Sequence, residues 1–504
     1  MSDSSNETRN EQDEPGLLEG KTVSRRDFLK IAGIAGATIG VGAGLGGLVA
    51  ACGGSTTTTT AATTATTAGP TTTAAGPTTT AGATTTVSSA ATTGREIKLG
   101  FVTPQTGSLA SFGIPDKYCV DRWKEAIGTG LVLGDGQNHP VSITLADSQS
   151  DDNRAASVAG DLINNTNIDM MMVASTPDTV TPVVEQCEAA SCPVVSTDCP
   201  WQTYLGTNFT TGYKWSYHVF FGGEDWMTEN VKTYDAISSN KVVGYMLPND
   251  ADGNYYRTVY PGFLTNAGYK PVDGGAYQDG TEDYSNVITK FKSAGAEILT
   301  GVMIPPDFTN FWKQAQQQGW SPKIALVGKA LLFPQSVDAL GDIANGLLTE
   351  LWWHRTFPFK SSLSGETCAQ LADAFEAATN TQQTAPLLHY VVGEMAINAL
   401  KTATDPTSKD AIVLAASQAK FDSIVGPIDF TAPLVTPTGT GNSDFAPGPG
   451  HKTKNVYDHG LGAAQWLEQG GKYKFTEVPV NNASAPYLTA DLLSAPKALP
   501  VAKS

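Results

Sequence analysis

The sequence predicts an α/β protein made of two doubly wound, three-layer α/β lobes. Three observations carry that expectation. From Ile97 onward, short β-rich runs alternate with longer helical stretches, the mark of βαβ units and parallel sheets. The alternation comes in two series, which implies two sheets. The first 95 residues show no such pattern, so the fold belongs to the rest of the 504-residue chain.

The first series opens with a strand over 97–102, Ile97-Lys98-Leu99-Gly100-Phe101-Val102. A Gly/Pro loop and a helix over 116–126 follow. Next come strand 141–146, helix 153–163, strand 169–174, helix 179–190 and strand 193–197. The second series runs strand 241–247, helices 256–267 and 284–294, strand 297–303, helix 308–319 and strand 323–327. Helices at 367–379, 387–403 and 409–420 complete the pattern. In doubly wound sheets ligands bind beyond the carboxyl ends of the strands, so the site is expected where the two lobes face each other.

The N-terminal region carries its own signals. Ser24-Arg25-Arg26-Asp27-Phe28-Leu29-Lys30 precedes an uncharged run from Ile31 to Ala51. The paired Arg25 and Arg26 resemble a twin-arginine export signal. The run is long enough to span a bilayer, but seven of its 21 residues are Gly, which weakens an anchoring helix. It ends in Val49-Ala50-Ala51-Cys52-Gly53, which resembles a bacterial lipobox and implies acylation of Cys52 after removal of residues 1–51. The expectation is therefore a lipid anchor at the outer face of the cell membrane, with the body of the protein free of the bilayer. Residues 52–95, nearly all Thr, Ala, Ser and Gly, read as a tether with an r.m.s. reach of about 35 Å.

Composition excludes some functions. With 32 Lys+Arg against 49 Asp+Glu and a net charge of −17, the chain lacks the basic face that nucleic acid requires. Its six His show no metal-binding spacing, and neither a GxSxG elbow nor a GxxxxGK[ST] loop occurs. No cofactor, metal site or catalytic group is expected. Cys187 and Cys192 bracket the end of a helix and the start of a strand. They are read either as a disulfide pair in an exported compartment or as two buried thiols.

The segment Lys98–Gly113 resembles the first strand and loop of type I periplasmic solute-binding proteins, the branched-chain amino acid/amide receptors of ABC importers. So do Ala146–Asp152, Ser196–Gln202, Pro248–Asn254 and Val425–Phe430, in that order. The resemblance spans residues 96 to about 478. It implies two lobes joined by three crossovers and closing on a small solute, with lobe I at 96–218 plus 350–435 and lobe II at 219–349 plus 436–504. Trp352-Trp353 and Val425–Phe430 would lie near the second and third crossovers. Pro433–Lys454 reads as a surface insertion.

Site residues follow from the same resemblance. Phe112 would place an aromatic ring beside the ligand. Ser175, Thr176 and Thr179 would offer hydroxyls and a helix N-terminus to a carboxylate, or Thr176, Asp178 or Thr179 would simply cap that helix. Asp198 and Trp201 follow the next strand, with Trp201 as the apolar wall. From lobe II, Asp252, Asp307 and Lys329 stand where the amino-acid receptors carry other groups. Lys329 replaces their ammonium-pairing acid, so a cleft role for it favours an anionic or acceptor ligand. Otherwise it is solvated surface. The implied function is a receptor delivering a small solute to an importer permease. A signalling receptor of the same fold and an exported hydrolase are the alternatives.

Overall fold

The computed structural model describes residues 91–208, 211–436, 450–488 and 493–500. Arg25, Arg26, Cys52 and nearly all of the expected tether lie outside the described residues. Among those described, no helix is long and apolar enough to cross a membrane.

The strands of two large sheets are, in chain order, β1 (Ile97–Thr103), β2 (Val141–Asp147), β3 (Met170–Val173), β4 (Val194–Ser196) and β5 (Ser216–Val219). They continue with β6 (Val242–Met246), β7 (Lys270–Asp273), β8 (Ile298–Gly301), β9 (Ile324–Val327) and β10 (Leu348–Leu351). The last three are β11 (Val456–Tyr457), β12 (Gly462–Glu468) and β13 (Phe475–Asn481). The first sheet has the order β11-β5-β4-β3-β1-β2 and is parallel throughout. The second has the order β13-β12-β10-β9-β8-β6-β7, parallel except for its two C-terminal strands. The core strands β3, β8 and β9 are buried at every position, as strands covered by helices on both faces must be.

The helices are α1 (Asp116–Ile127), α2 (Asp152–Asp161), α3 (Pro177–Ala189), α4 (Trp201–Leu205), α5 (Gly223–Asp235) and α6 (Ala251–Asn266). They continue with α7 (Ser285–Ser293), α8 (Pro305–Gln317), α9 (Pro334–Leu340), α10 (Cys368–Thr379), α11 (Tyr390–Thr402) and α12 (Lys409–Ser417). Their starts have local causes. Asp151 caps α2 through the Arg154 amide, Asp250 caps α6 through the Gly253 amide, and Thr367 with Gln370 forms a capping box on α10.

The chain passes between the sheets three times. It leaves β5 through Phe220-Phe221-Gly222, leaves β10 through Trp352-Trp353-His354, and leaves β11 through Asp458-His459-Gly460. The three segments pack on one another. Phe220 meets Trp352 edge-on at 4.9 Å and His459 at 5.6 Å, and Phe221 lies 6.1 Å from Trp352.

Two expectations are corrected. The boundary at 435/436 falls too early, because Val456–Tyr457 pairs in parallel with β5 and belongs to the first sheet. Nor does Val425–Phe430 lie at the third crossover: Gly426–Asp429 folds back on Lys420–Ser423 as a separate antiparallel hairpin. At the ends of the expected insertion, Leu434–Val435 pairs with Lys452–Thr453. Residues 437–449 between them lie outside the described residues.

Candidate functional site

Two neighbouring cavities, an inner and an outer chamber, lie at the carboxyl ends of the strands. The inner one, about 10 Å³, has room for roughly one water. Thr176, Pro200 and Asp198 line it from the first lobe, and Asp252, Tyr256, Val302 and Lys329 from the second. Crossover residues Phe220, Phe221 and Trp352 supply aromatic walls, and Glu350 at the end of β10 adds a carboxylate. The outer chamber, about 570 Å³, opens beside the α3 and α6 N-termini and is lined by Ser108, Ser150, Asp178, Thr203, Asp250 and Asp279, among others.

Three residues at the strand ends hold backbone conformations that side chains rarely adopt. They are Ser175 (φ 123°), Asp198 (φ 73°) and Lys329 (φ 58°). Non-glycine residues at positive φ cost energy and tend to collect at binding sites. Here each turns its chain at the end of a strand facing the cleft.

Lys329 sits at the partition between the chambers. Its Nζ donates to Asp250 Oδ2 at 3.0 Å and lies 2.9 Å from Asp252 Oδ2. Burial works against the ammonium, but Asp250, Asp252 and Asp178 more than offset it and hold its pKa well above the usual lysine range. Asp178 is pushed up to about 7, first by burial and then by Asp250. Burial also raises Asp252.

Asp198 is held from behind. Its Oδ2 meets His389 Nε2, and His389 Nδ1 lies 2.5 Å from Asp116 Oδ1, all three side chains being fully buried. Although burial lowers the imidazole's pKa, Asp198 and Asp116 carry it to about 10, so the ring is cationic at neutral pH. Asp116 Oδ2 accepts from Gln105 Nε2 at 3.2 Å. Glu350 is clamped by two indoles: Trp226 Nε1 donates to Oε1 and Trp352 Nε1 to Oε2, each at 2.6 Å. Burial raises its pKa to about 7. A Cβ at residue 328 would stand 1.7 Å from Glu350 Oε1, so only glycine lets β9 pass this carboxylate.

Several buried oxygens at this junction have no partner: Ser175 Oγ, Thr176 Oγ1, Asp198 Oδ1 and Asp252 Oδ1. Thr176 stands at the N-cap of α3, yet its hydroxyl makes no capping bond. The capping alternative therefore does not apply to Thr176. The residue lines the inner chamber.

Thr176, Asp198, Asp252 and Lys329 thus line the inner chamber. The remaining expected residues do not line either chamber. Trp201 is fully buried in a hydrophobic cluster of the first lobe, and its Nε1 donates to Glu224 Oε1 at 3.1 Å. It is a packing residue, because helix α4 turns its ring inward. Phe112 bridges the lobes, 4.9 Å from Phe333 and 6.0 Å from Trp352. Ser175 is buried behind Thr176, and Thr179 Oγ1 donates to the Thr176 carbonyl at 3.4 Å. Asp307 is buried in the second lobe, where it accepts from the Gly280 amide at 2.9 Å. Lys329 is buried and not solvated surface, and the expectation that its cleft role favours an anionic or acceptor ligand is weakened, since Asp250 and Asp252 already pair with it. Cys187 and Cys192 are free, buried thiols that hydrogen-bond to each other.

Sequence reasoning missed Glu350, His389, Asp116 and Asp250. The first three are buried ionisable groups, and burial is invisible in a single sequence. Asp250 carried a signal, as an Asp three residues before Gly253 at a helix start. Among the described residues, one group of three side chains has metal-ligating geometry: Glu224, Asp225 and Asp458, with oxygens within 4.8 Å of one another. Those carboxylates already accept from Trp201, the Gly222 amide and the Gly460 amide.

A search of curated proteins finds no match. Solved structures with the same fold include the leucine binding protein LivK of Thermotoga maritima, at 16% identity and a TM-score of 0.59 over 76% of this chain and 99% of that one. The isoleucine complex of the branched-chain amino acid transporter substrate binding protein LivJ of Streptococcus pneumoniae has 18% identity and a TM-score of 0.56, covering 77% and 99%. A solute binding protein of an ABC transporter from Rhodopseudomonas palustris, solved with 3,4-dihydroxy benzoic acid, has 15% identity and a TM-score of 0.59, covering 78% and 99%. Residues 96–446 match the family described as periplasmic binding protein. With two parallel-sheet lobes, three crossovers and a cleft at the strand ends, the chain belongs to the periplasmic binding protein family and has its type I fold.

Proposed function

We propose that this protein is a receptor that captures a small solute between its lobes and delivers it to the permease of an ABC importer. The observation that carries the reading is the convergence of polar groups from both lobes, Thr176 and Asp198 from one and Asp252 and Lys329 from the other, at the carboxyl ends of the strands. The structural neighbours solved with isoleucine and 3,4-dihydroxy benzoic acid support capture of a small organic molecule. The reading is non-enzymatic, and the family supports it.

Attachment at the outer face of the membrane belongs to the same proposal. It rests on Arg25, Arg26 and the lipobox-like sequence ending at Cys52. Intact mass of membrane-extracted protein tests it: the expected chain begins at an acylated Cys52, and an unmodified Met1 or Ser2 start refutes it.

For the receptor reading, a thermal-shift screen of amino acids, amides and aromatic acids is the direct test. A ligand at a hundredfold excess over Kd stabilises by about 2.7 kcal/mol. Recovery of the ligand unchanged after prolonged incubation separates a receptor from a hydrolase. A failure of purified permease to respond to the loaded receptor would favour the signalling alternative.

A further inference from the structure

Helix α3 ends in a turn that brings two cysteines together. Ser191 takes the chain through the left-handed region, at φ 51°. The Cys192 amide donates back to the Cys187 carbonyl at 2.9 Å, and the Ser191 amide donates to the Glu188 carbonyl at 3.3 Å. That pair of bonds is a Schellman ending, which sets the side chains of its first and last residues against each other. Such a contact usually joins two apolar groups. Here it joins two thiols, and the Cys187 S–H donates to the Cys192 sulfur. Lys409, the first residue of α12, reaches the same sulfur. Burial pushes the Cys187 thiol up. The bond from Cys187 and then the Lys409 ammonium hold Cys192 down, against burial and Asp169. A thiol stabilised as its thiolate by a donor and a cation is the one that attacks in sulfur exchange. Both cysteines are fully buried, but Ala189, Ala190 and Ser191 between them are exposed, and the last turn of a helix frays.

We propose that Cys187 and Cys192 are an oxidisable pair, a modification site at which Cys192 attacks a small-molecule disulfide and Cys187 resolves the product into an intramolecular bond. The Cys192 thiolate attacks one sulfur of the reagent, the reagent's S–S bond breaks, and one thiolate leaves. Cys187 then gives up its proton and attacks the Cys192 sulfur, releasing the second thiolate. Two protein thiols and one external disulfide become one protein disulfide and two external thiols. Two electrons pass to the reagent, and the two thiol protons end on the released sulfurs. The bond closes the end of α3 onto the start of β4, at the amino end of that strand. Thr176 and Asp198 stand at the opposite ends of the same helix and strand, facing the cleft. The pair is therefore a staple for the unit that presents them, not a part of the cleft.

The test incubates the folded full chain with oxidised glutathione and maps the cysteine peptides by mass. The expected product is a loss of two hydrogens confined to the peptide holding Cys187 and Cys192, and the same loss in freshly purified protein is equally supportive. In Cys187→Ser the reaction should stop at one glutathione on Cys192, whereas in Cys192→Ser the remaining Cys187 should react about tenfold more slowly. Lys409→Met should slow bond formation by about fivefold. The oxidised chain should melt about 2–5 °C above the reduced one, because the closed loop restrains the unfolded state. Circular dichroism establishes that each variant is folded. Free thiols at both positions after prolonged incubation just below the melting temperature overturn the proposal. So does a bond from either cysteine to Cys119, Cys199 or Cys368, or faster reaction at Cys187 than at Cys192.

Discussion

Lys329 Nζ lies 2.9 Å from Asp252 Oδ2 and 3.0 Å from Asp250 Oδ2, so the lysine is spent inside its own lobe. Lys329 therefore keeps Asp250 when Asp252 is removed, and the loss is that of one buried charged hydrogen bond. Asp252→Ala should destabilise the protein by about 1–3 kcal/mol. Asp252→Asn, which keeps an acceptor for the ammonium, should cost clearly less. Urea denaturation of the ligand-free protein distinguishes them, and equal losses would show that shape rather than charge governs the site.

The Asp116–His389–Asp198 array predicts a pH signature. The folded-state pKa of His389, about 10, lies above the ordinary histidine value of 6.5. Its stabilising contribution is therefore complete below pH 6.5 and is lost as pH rises through 10. His389→Ala leaves two fully buried carboxylates without their cation and should cost about 3–5 kcal/mol near neutral pH. The difference between wild type and variant should shrink between pH 7 and 10 in chemical denaturation. A difference that stays constant over that range would mean the imidazole is neutral.

Glu350 allows a sharper test, because both of its oxygens accept from indole N–H groups at 2.6 Å. Glu350→Gln turns one acceptor into a donor facing another donor. An unmet buried hydrogen bond of this kind costs about 1–3 kcal/mol. Tryptophan fluorescence should shift as well, since Trp226 and Trp352 are the two donors. Unchanged emission and stability would contradict the clamp.

The fold was legible in the sequence and the chemistry of the cleft only partly so. Alternation placed strands at 97–102 and 323–327, within a residue of β1 (Ile97–Thr103) and β9 (Ile324–Val327), because apolar runs such as Ile324-Ala325-Leu326-Val327 suit strands buried on both faces. It missed β5 and α5, where Ser216-Tyr217-His218-Val219 carries polar residues that tertiary packing buries. Thr176, Asp198, Asp252 and Lys329 were singled out because they follow strands, and the structure sets all four against the inner chamber. Trp201 was misassigned for the same reason: a strand end locates a residue near the cleft, but the following turn of helix decides whether its ring faces in or out. His389 could not be found, since its partners Asp116 and Asp198 are 273 and 191 residues away in the chain.

Trp201 gives a prediction opposite to the one its sequence position suggests. With the ring fully buried and bonded to Glu224, truncation acts on the fold. Trp201→Phe should lower stability by about 1–3 kcal/mol through the lost volume and the unsatisfied Glu224 acceptor. Affinity of the folded variant for any cleft ligand should stay within about threefold of wild type. Thermal denaturation and titration on the same preparation separate the two effects. A large loss of affinity with unchanged stability would return Trp201 to the ligand wall.

Proton linkage supplies the last prediction. Asp178 lines the outer chamber and is held at about 7 by burial and by Asp250, with Asp252 and Asp279 adding repulsion and Lys329 opposing it. Asp151, Asp152 and Glu185 face the same chamber, and none of the residues lining it is basic. Because the folded-state pKa is raised above the ordinary 3.8, the native protein holds a proton there that the unfolded chain releases. That contribution to stability is complete below about pH 4 and is lost as pH rises through about 7. Asp178→Asn, which has no such proton to lose, should therefore lose less stability than wild type between about pH 5 and 8. Urea denaturation at a series of pH values measures both, and curves that stay parallel over that range would place the titrating group elsewhere.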